Sequence, residues 1–221
     1  IDLNYFFELG DKYCMRLKFV PDFSSISKKH FNSSHLNNFH VINPRYEPLQ
    51  NAYNRLIKRL FDLFFSSMVI IFILSWLYPV LAIIIKWQSK GPVLFKQMRT
   101  GKKNEPFCCY KFRSMYIDVG DECQQAIRGD CRVTPIGKFI RRTSLDEMPQ
   151  FFNVLMGKMS IVGPRPHMIK HTSDYNDNIH NFMVRHFVKP GITGLAQVSG
   201  LRGEIKKVSD MKRRVNADIK Y

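Results

Sequence analysis

Residues 141–150 read Arg141-Arg142-Thr143-Ser144-Leu145-Asp146-Glu147-Met148-Pro149-Gln150, two guanidinium groups followed at once by adjacent carboxylates. A carboxylate can attack phosphorus to give an acyl phosphate, which splits one difficult transfer between two bulky anions into two steps. Repulsion between an aspartate and a diphosphate opposes that approach. The chemistry therefore calls for neutralising charge, from Arg141 or Arg142 and from a Mg²⁺ ion held by Asp146, Glu147 and the substrate diphosphate. The plainer reading of the same residues is capping, with Ser144 and Glu147 as a capping box and the acidic pair complementing a helix dipole. Pro149 opposes it, because a helix begun at Ser144 would put proline beyond the positions whose N–H groups are free. A start near Asp146 fits better, and leaves Asp146 and Glu147 at an exposed N-terminus where backbone N–H groups favour phosphate.

Three other segments offer phosphate-binding groups. Ile161-Val162-Gly163-Pro164-Arg165-Pro166 fixes an arginine between two prolines, so that its fork can be aimed at phosphate. A rigid surface turn with a solvated Arg165 reads as well from this segment alone. Lys189-Pro190-Gly191-Ile192-Thr193-Gly194-Leu195-Ala196-Gln197 supplies glycines whose backbone can approach a ligand, with Lys189 and Gln197 as nucleotide-binding candidates, or else is a plain loop. Tyr110-Lys111-Phe112-Arg113-Ser114-Met115 alternates aromatic and basic residues, and on a strand this puts Lys111 and Arg113 on one face. No nucleic-acid motif accompanies it, and anionic lipid headgroups explain a basic face beside a membrane segment equally well. Among seven histidines, His167 and His171 have i, i+4 spacing, but no zincin glutamate accompanies them, so zinc is not expected.

The elements that must position these groups follow from composition and pattern. The 221 residues are 45% hydrophobic and 13% aromatic, enough for one substantial core, and carry a net charge of +16 that favours anionic partners. Five cysteines in no paired spacing read as reduced thiols facing cytosol. From Leu60 to Ile85 the chain is almost continuously apolar for about 26 residues, long enough to cross a bilayer. Pro79 inside that run predicts a kink near Trp76 to Pro79. Arg55, Lys58 and Arg59 before the run and Lys86 and Lys90 after it place both ends on one membrane face, so the expectation is a re-entrant helix-break-helix, with an ordinary transmembrane helix as the competing reading.

Residues 1–50 predict a helix over Phe6 to Cys14, an alternating run from Met15 to Val20 and then turn signals at Pro21 and Asp22. They read as the remnant of a preceding α/β domain, in a chain expected to be a fragment. Residues 51–90 form the amphipathic lead-in and membrane helix. Residues 91–221 predict a loop-rich catalytic domain, with strands at Val93 to Lys96 and Phe107 to Phe112 and helices at Pro149 to Leu155, Asp177 to Phe187 and Ser209 to Asp218. The fold class is α+β: a re-entrant membrane helix packed on a small cytoplasmic domain. A basic membrane-surface scaffold without catalytic activity accounts for charge and amphipathicity alone.

Taken in order, these segments resemble the monotopic polyprenyl-phosphate sugar-1-phosphate transferases, the bacterial sugar transferase family. The resemblance runs from about Lys58 to the end through Lys58-Arg59-Leu60-Phe61-Asp62, Lys90-Gly91-Pro92-Val93-Leu94-Phe95-Lys96-Gln97, Tyr110 to Met115, Thr143 to Gln150, Val162 to Pro166 and Pro190 to Gly194. It implies that Asp146 is the nucleophile on the β-phosphate of a UDP-sugar, with Glu147 in the Mg²⁺ and acid–base apparatus. It further implies Arg141 and Arg165 on phosphate oxygens, undecaprenyl phosphate as acceptor, and Pro79 as the break of a re-entrant helix. The implied setting is the cytoplasmic face of a bacterial inner membrane, in contact with lipid and not with nucleic acid, where such enzymes initiate exopolysaccharide, capsule or O-antigen synthesis. Residues 1–50 are similar to the end of the nucleotide-sugar-dehydratase-like regulatory domain of long members, and the stretch after Gln197 to long members that transfer glucose 1-phosphate, which makes UDP-glucose the expected donor; long members usually continue past the position of Tyr221 into another membrane-associated helix. Two positions depart from the family pattern: Tyr78 stands where Ser commonly precedes the proline, and Lys189 where Arg commonly precedes Pro-Gly-Ile-Thr-Gly, replacing a bidentate fork with a point charge.

Overall fold

The computed structural model describes residues 3–18, 32–36, 39–43, 47–117, 130–169, 175, 179, 181–201, 203 and 208–220. The expectations for Val20, Pro21, Asp22, Cys123, His171 and Asp177 lie outside these. Helices and short strands mix, as an α+β class requires. They are α1 (Leu3–Lys12), β1 (Asn32–Leu36), β2 (Phe39–Asn43), α2 (Ala52–Val69), α3 (Ser75–Gln88), β3 (Leu94–Thr100), β4 (Pro106–Phe112), α4 (Pro135–Arg142), α5 (Gln150–Leu155), β5 (Ser160–Val162), β6 (Gly191–Thr193), α6 (Leu195–Val198) and α7 (Val208–Ile219).

The apolar run is one continuous helical stretch, Ala52–Gln88, in which a π-helical turn, Ile70–Leu74, joins α2 to α3. Its buried residues are Asp62, Ser66, Val69, Leu74, Leu77, Leu81 and Ile85, in steps of three and four except for a step of five across the π turn. The wide turn absorbs one extra residue, and so keeps a single stripe facing the core on both sides. The chain stays helical through Pro79, and the irregular hydrogen bonding, Ile70–Leu74, precedes the expected Trp76 to Pro79. Pro79 crowds the carbonyl four residues before it, that of Ser75, which directly follows the wide turn. One backbone donor and two side chains serve the carbonyls of the wide turn. Ser75 N–H bonds to Ile70 O, while Ser75 Oγ donates to Ile71 O at 2.5 Å and Trp76 Nε1 to Phe72 O at 2.9 Å.

The opposite face of this stretch is apolar and bare, with Phe64, Phe72, Ile83 and Trp87 all at least 70% exposed. Both of its ends are bolted to the globular part. Arg59 donates to Val154 O and Leu155 O at 2.7 Å each, and Asp62 accepts from Ser160 Oγ and Ile161 N at 3.0 and 3.1 Å. At the other end Gln88 Oε1 accepts from Ile136 N at 3.1 Å.

β3 and β4 form an antiparallel hairpin in register Leu94↔Phe112 to Thr100↔Pro106. Lys103 and Asn104 turn it, both at positive φ. Asn153 of α5 fastens it, accepting from Tyr110 N at 3.0 Å and donating to Cys108 O at 2.7 Å. The resulting core gathers Leu74, Leu77, Leu81 and Ile85 with Phe107, Phe112, Ile140, Phe151, Val154 and Met159.

β5 and β6 pair in parallel, Ser160↔Gly191 and Val162↔Thr193. A Cβ on Gly191 would sit 2.1 Å from Gly163 N, and one on Gly194 would sit 2.2 Å from Gly163 O. These glycines therefore let two backbone segments touch each other, where the sequence suggested approach to a ligand. Of the helix expected over Asp177 to Phe187, the described part Phe182–Phe187 is a 3-10 turn that Asn181 enters in the left-handed conformation. α7 matches the expected last helix. α1 packs on the 3-10 turn, with Cys14 Sγ 3.8 Å from Met183 O, and Cys14 at φ 58 ends the helical run.

Asn153→Leu keeps the side-chain volume but strands Tyr110 N–H and Cys108 C=O. It is expected to lower stability by about 2 kcal/mol, read as a fall in the midpoint of thermal unfolding.

Candidate active site

α4 starts at Thr134, whose hydroxyl accepts from Gly137 N at 3.0 Å, and it brings Arg141 and Arg142 to its last turn. Ser144 then adopts the left-handed conformation, φ 60 and ψ 16, and its side chain caps nothing. The capping box is therefore not formed. Leu145–Glu147 make a separate 3-10 turn, and α5 begins only after Pro149, a position at which proline costs no helix hydrogen bond. Asp146 and Glu147 thus precede the helix by a full turn, and Glu147 is buried. Its expected exposure is corrected by the two cations that cover it.

Lys111 Nζ, projecting from β4, lies 2.8 Å from Glu147 Oε1. Arg165 reaches from the loop after β5 and donates Nη2 to Oε1 at 2.6 Å and Nη1 to Oε2 at 3.2 Å, a two-pronged grip. Burial alone would raise the Glu147 pKa, but Lys111 and Arg165 overrule it and hold this carboxyl ionised far below the usual carboxylate range. Asp146, half-buried beside it, makes no hydrogen bond to the described residues. Burial first and the Glu147 charge second push its carboxyl above the usual aspartate range, against the pull of Lys111, Arg141 and Arg165. Two neighbouring carboxylates are thereby driven apart. One is a fixed, neutralised anion, and the other is a free oxygen pair in a cationic surround.

The structure thus brings together Asp146, Glu147, Lys111, Arg165 and Arg141. It does not bring Arg113, which is 4% exposed and spends its guanidinium on Lys90 O and Ser89 O at 2.6 Å each, closing the end of α3. Arg113 lies one residue beyond β4, where strand alternation no longer aims it, and phosphate binding is not available to a guanidinium so committed. Lys189 lies instead beside Gly157 and Arg59. Burial and the charges of Arg59, Lys102 and Lys158 lower its pKa, with Asp62 opposing them. Gln197 donates to Ile192 O at 3.0 Å and so braces its own loop.

For Mg²⁺ the expected donors are the carboxylates of Asp146 and Glu147, but both Glu147 oxygens are already engaged by Lys111 and Arg165, which leaves Asp146 as the carboxylate with oxygens unspent. Among the described residues no group of three or more His, Cys, Asp or Glu side chains gathers. One such carboxylate fits an ion that completes its shell with substrate phosphate and water, and does not fit one that needs an all-protein cage. His167 is buried and stands apart from any such group.

Sequence reasoning gave no positioning role to Arg99, Asn153, Arg185 and Asp218, and named Arg59 and Asp62 only as a flanking charge and as part of the Lys58 to Asp62 segment. Asp62 carried a further signal, as the one acid in α2.

The family model of the bacterial sugar transferases matches residues 53–221. A UDP-glucose:undecaprenyl-phosphate glucose-1-phosphate transferase of Klebsiella pneumoniae is 43% identical over 219 residues, covering 99% of this chain and 46% of the relative. Proteins of the same name from Escherichia coli K12 and Xanthomonas campestris pv. campestris are each 42% identical, over 215 and 217 residues, covering 97% and 96% of this chain and 46% and 44% of theirs. The chain spans about half the length of these curated relatives.

Glu147→Gln leaves Lys111 and Arg165 facing a neutral amide and is expected to cost about 2 kcal/mol at pH 7. A depressed folded-state pKa gives stability that is complete above the unfolded glutamate value and drains away as pH falls toward the folded one. The gap between parent and variant in denaturant unfolding should therefore begin to close only below about pH 4 and narrow steadily with further acid.

Proposed function

This chain belongs to the bacterial sugar transferase family, and on that premise we propose that it transfers a sugar 1-phosphate, glucose 1-phosphate in the first instance, from a UDP-sugar to undecaprenyl phosphate. The observation that carries this reading is the unbonded Asp146 carboxylate set among Lys111, Arg141 and Arg165 beside an already neutralised Glu147. A basic scaffold would have no use for that asymmetry.

An Asp146 oxygen attacks the β-phosphorus of the donor. The bond from that phosphorus to the oxygen bridging to the α-phosphate breaks, its electron pair leaves with UMP, and an aspartyl-phosphosugar remains. A phosphate oxygen of undecaprenyl phosphate then attacks the same phosphorus and releases the Asp146 carboxylate. The products are UMP and undecaprenyl-diphosphate-sugar. Lys111, Arg141 and Arg165 provide the positive charge against which two anions approach. Glu147 orients the first and last of these, and its depressed pKa makes it a fixed anion and a poor proton carrier near neutral pH, so the acid–base part of its expected role is not retained. Mg²⁺, held by Asp146 and the substrate phosphates, would supply further neutralisation of the diphosphate. The 43% identity to a UDP-glucose enzyme supports glucose.

For the membrane we propose the re-entrant arrangement, with the catalytic part on the cytoplasmic face. What supports it is that the α2 end, through Arg59 and Asp62, and the α3 end, through Gln88, dock on one core while the outer face stays apolar. A helix that crossed the bilayer would separate those two docking points.

Asp146→Asn is expected to abolish UMP release and the phosphosugar adduct seen by intact mass. Full turnover in that variant would refute the nucleophile assignment. The attacking form is the ionised one and its pKa is raised, so kcat should fall as pH drops, with an inflection above the ordinary aspartate value of about 3.9. Cysteines placed at Asn51 and Lys90 should both react with an impermeant maleimide from the cytoplasmic side, and reaction from opposite sides would refute re-entry.

A further inference from the structure

Four successive carbonyls of the loop that carries Arg165 are each held by a donor. Pro164 O accepts from Gly191 N at 2.8 Å, and His167 O accepts from Thr100 N at 3.0 Å. Between them, Arg165 O accepts from Arg185 Nη2 at 2.7 Å and Pro166 O from Arg99 Nη1 at 3.0 Å. Pro164 and Pro166 have no N–H to offer in return, so the backbone here is positioned almost wholly through its oxygens. The two inner donors are guanidinium groups, which make the stronger, charge-assisted bonds. They grip the loop at the residue whose fork holds Glu147 and at the residue after it.

Arg185 is 2% exposed, and the nitrogen that meets Arg165 O is also 2.7 Å from Asp218 Oδ2 of α7. Its Nε and Nη1 are buried without a hydrogen-bond partner. Stability does not account for this arrangement. A buried ion pair can often be exchanged for apolar residues without loss, and unmatched buried donors are a cost. The arrangement is accounted for by the carbonyl it fixes. Arg99 is itself oriented by Gln97, whose Oε1 accepts from Arg99 Nη2 at 2.5 Å. A chain of contacts therefore runs from α7 through Asp218, Arg185 and the Arg165 backbone to the Arg165 fork, Glu147 and the neighbouring Asp146.

We propose that Arg185, braced by Asp218, and Arg99 are positioning residues that lock the Pro164–His167 backbone so that the Arg165 fork meets Glu147, making α7 part of the active-site assembly. The proposal rests on the transferase reading of the Asp146 site.

The test uses the full-length chain reconstituted in bilayers, with Arg185→Met and Asp218→Leu made together so that neither leaves the other charged and buried. UMP release is expected to lose about tenfold or more in kcat, while KM for the UDP-sugar changes by about threefold or less, the signature of a misplaced catalytic group. Because Arg185 acts through Arg165, adding the pair to Arg165→Lys should slow that variant by no more than about twofold. A full multiplicative loss, or an unchanged kcat, overturns the proposal. Should the apolar pair unfold, Asp218→Asn keeps shape and an acceptor and is compared in the same way. A second readout needs no turnover: carbodiimide modification of Glu147, mapped by peptide mass, should be slow in the parent and several-fold faster in the pair variant. Equal rates overturn the proposal even if the parent releases no UMP from any UDP-sugar, an outcome that would instead refute the transferase reading.

Discussion

A buried carboxylate shared between a lysine from a hairpin and an arginine from a distant loop is the constraint around which this molecule is arranged. Lys111 and Arg165 together hold Glu147 ionised, and each is delivered by a different element. β4 must stand against α5 for Lys111 to arrive, which Asn153 ensures by bonding the strand on either side of Cys109. The loop after β5 must cross β6 closely enough for Arg165 to arrive, which requires glycine at 163, 191 and 194. With Glu147 satisfied, the positive field of the site is left for the neighbouring Asp146 and whatever anion approaches it.

The long apolar helix belongs to the same construction. Asp62 holds Ser160 and Ile161 at the start of β5, two residues before the glycine that begins the Arg165 loop. At the far end, Arg113 leaves β4 directly after Lys111 and Phe112 to close the last turn of α3. One face of the helix is thus a wall of the core, set in register with the catalytic segments at both ends, while the other face is apolar and unpaired. The π turn reconciles these demands: it lets a proline-bearing apolar helix keep one continuous buried stripe.

Much of this was legible in the sequence where a local rule governs. Extended runs marked strands near Val93 to Lys96 and Phe107 to Phe112 but not their pairing, the apolar run marked the long helix, and the acidic pair after two arginines marked the place where the cations gather. Long-range pairing was not legible. Lys111 reads as one basic residue on a strand, and nothing local indicates that its partner lies 36 residues away. Arg113 reads the same way and serves a different end, since the strand stops between them. The glycines near 191 read as a ligand cradle because sequence cannot distinguish a backbone that approaches a substrate from one that approaches another backbone. Arg185 and Asp218 carried no signal, because charged residues are presumed exposed until a structure buries them.

The central claim is that adjacent carboxyls are held in opposite electrostatic states. A carboxyl-carbon NMR titration of the reconstituted protein, with Asp146 and Glu147 assigned by substitution, tests it most directly. Glu147 should remain ionised through the whole accessible acid range while Asp146 takes up its proton above the ordinary aspartate value. If the two titrate together near the usual carboxylate range, or Glu147 protonates first, the account of this site is wrong.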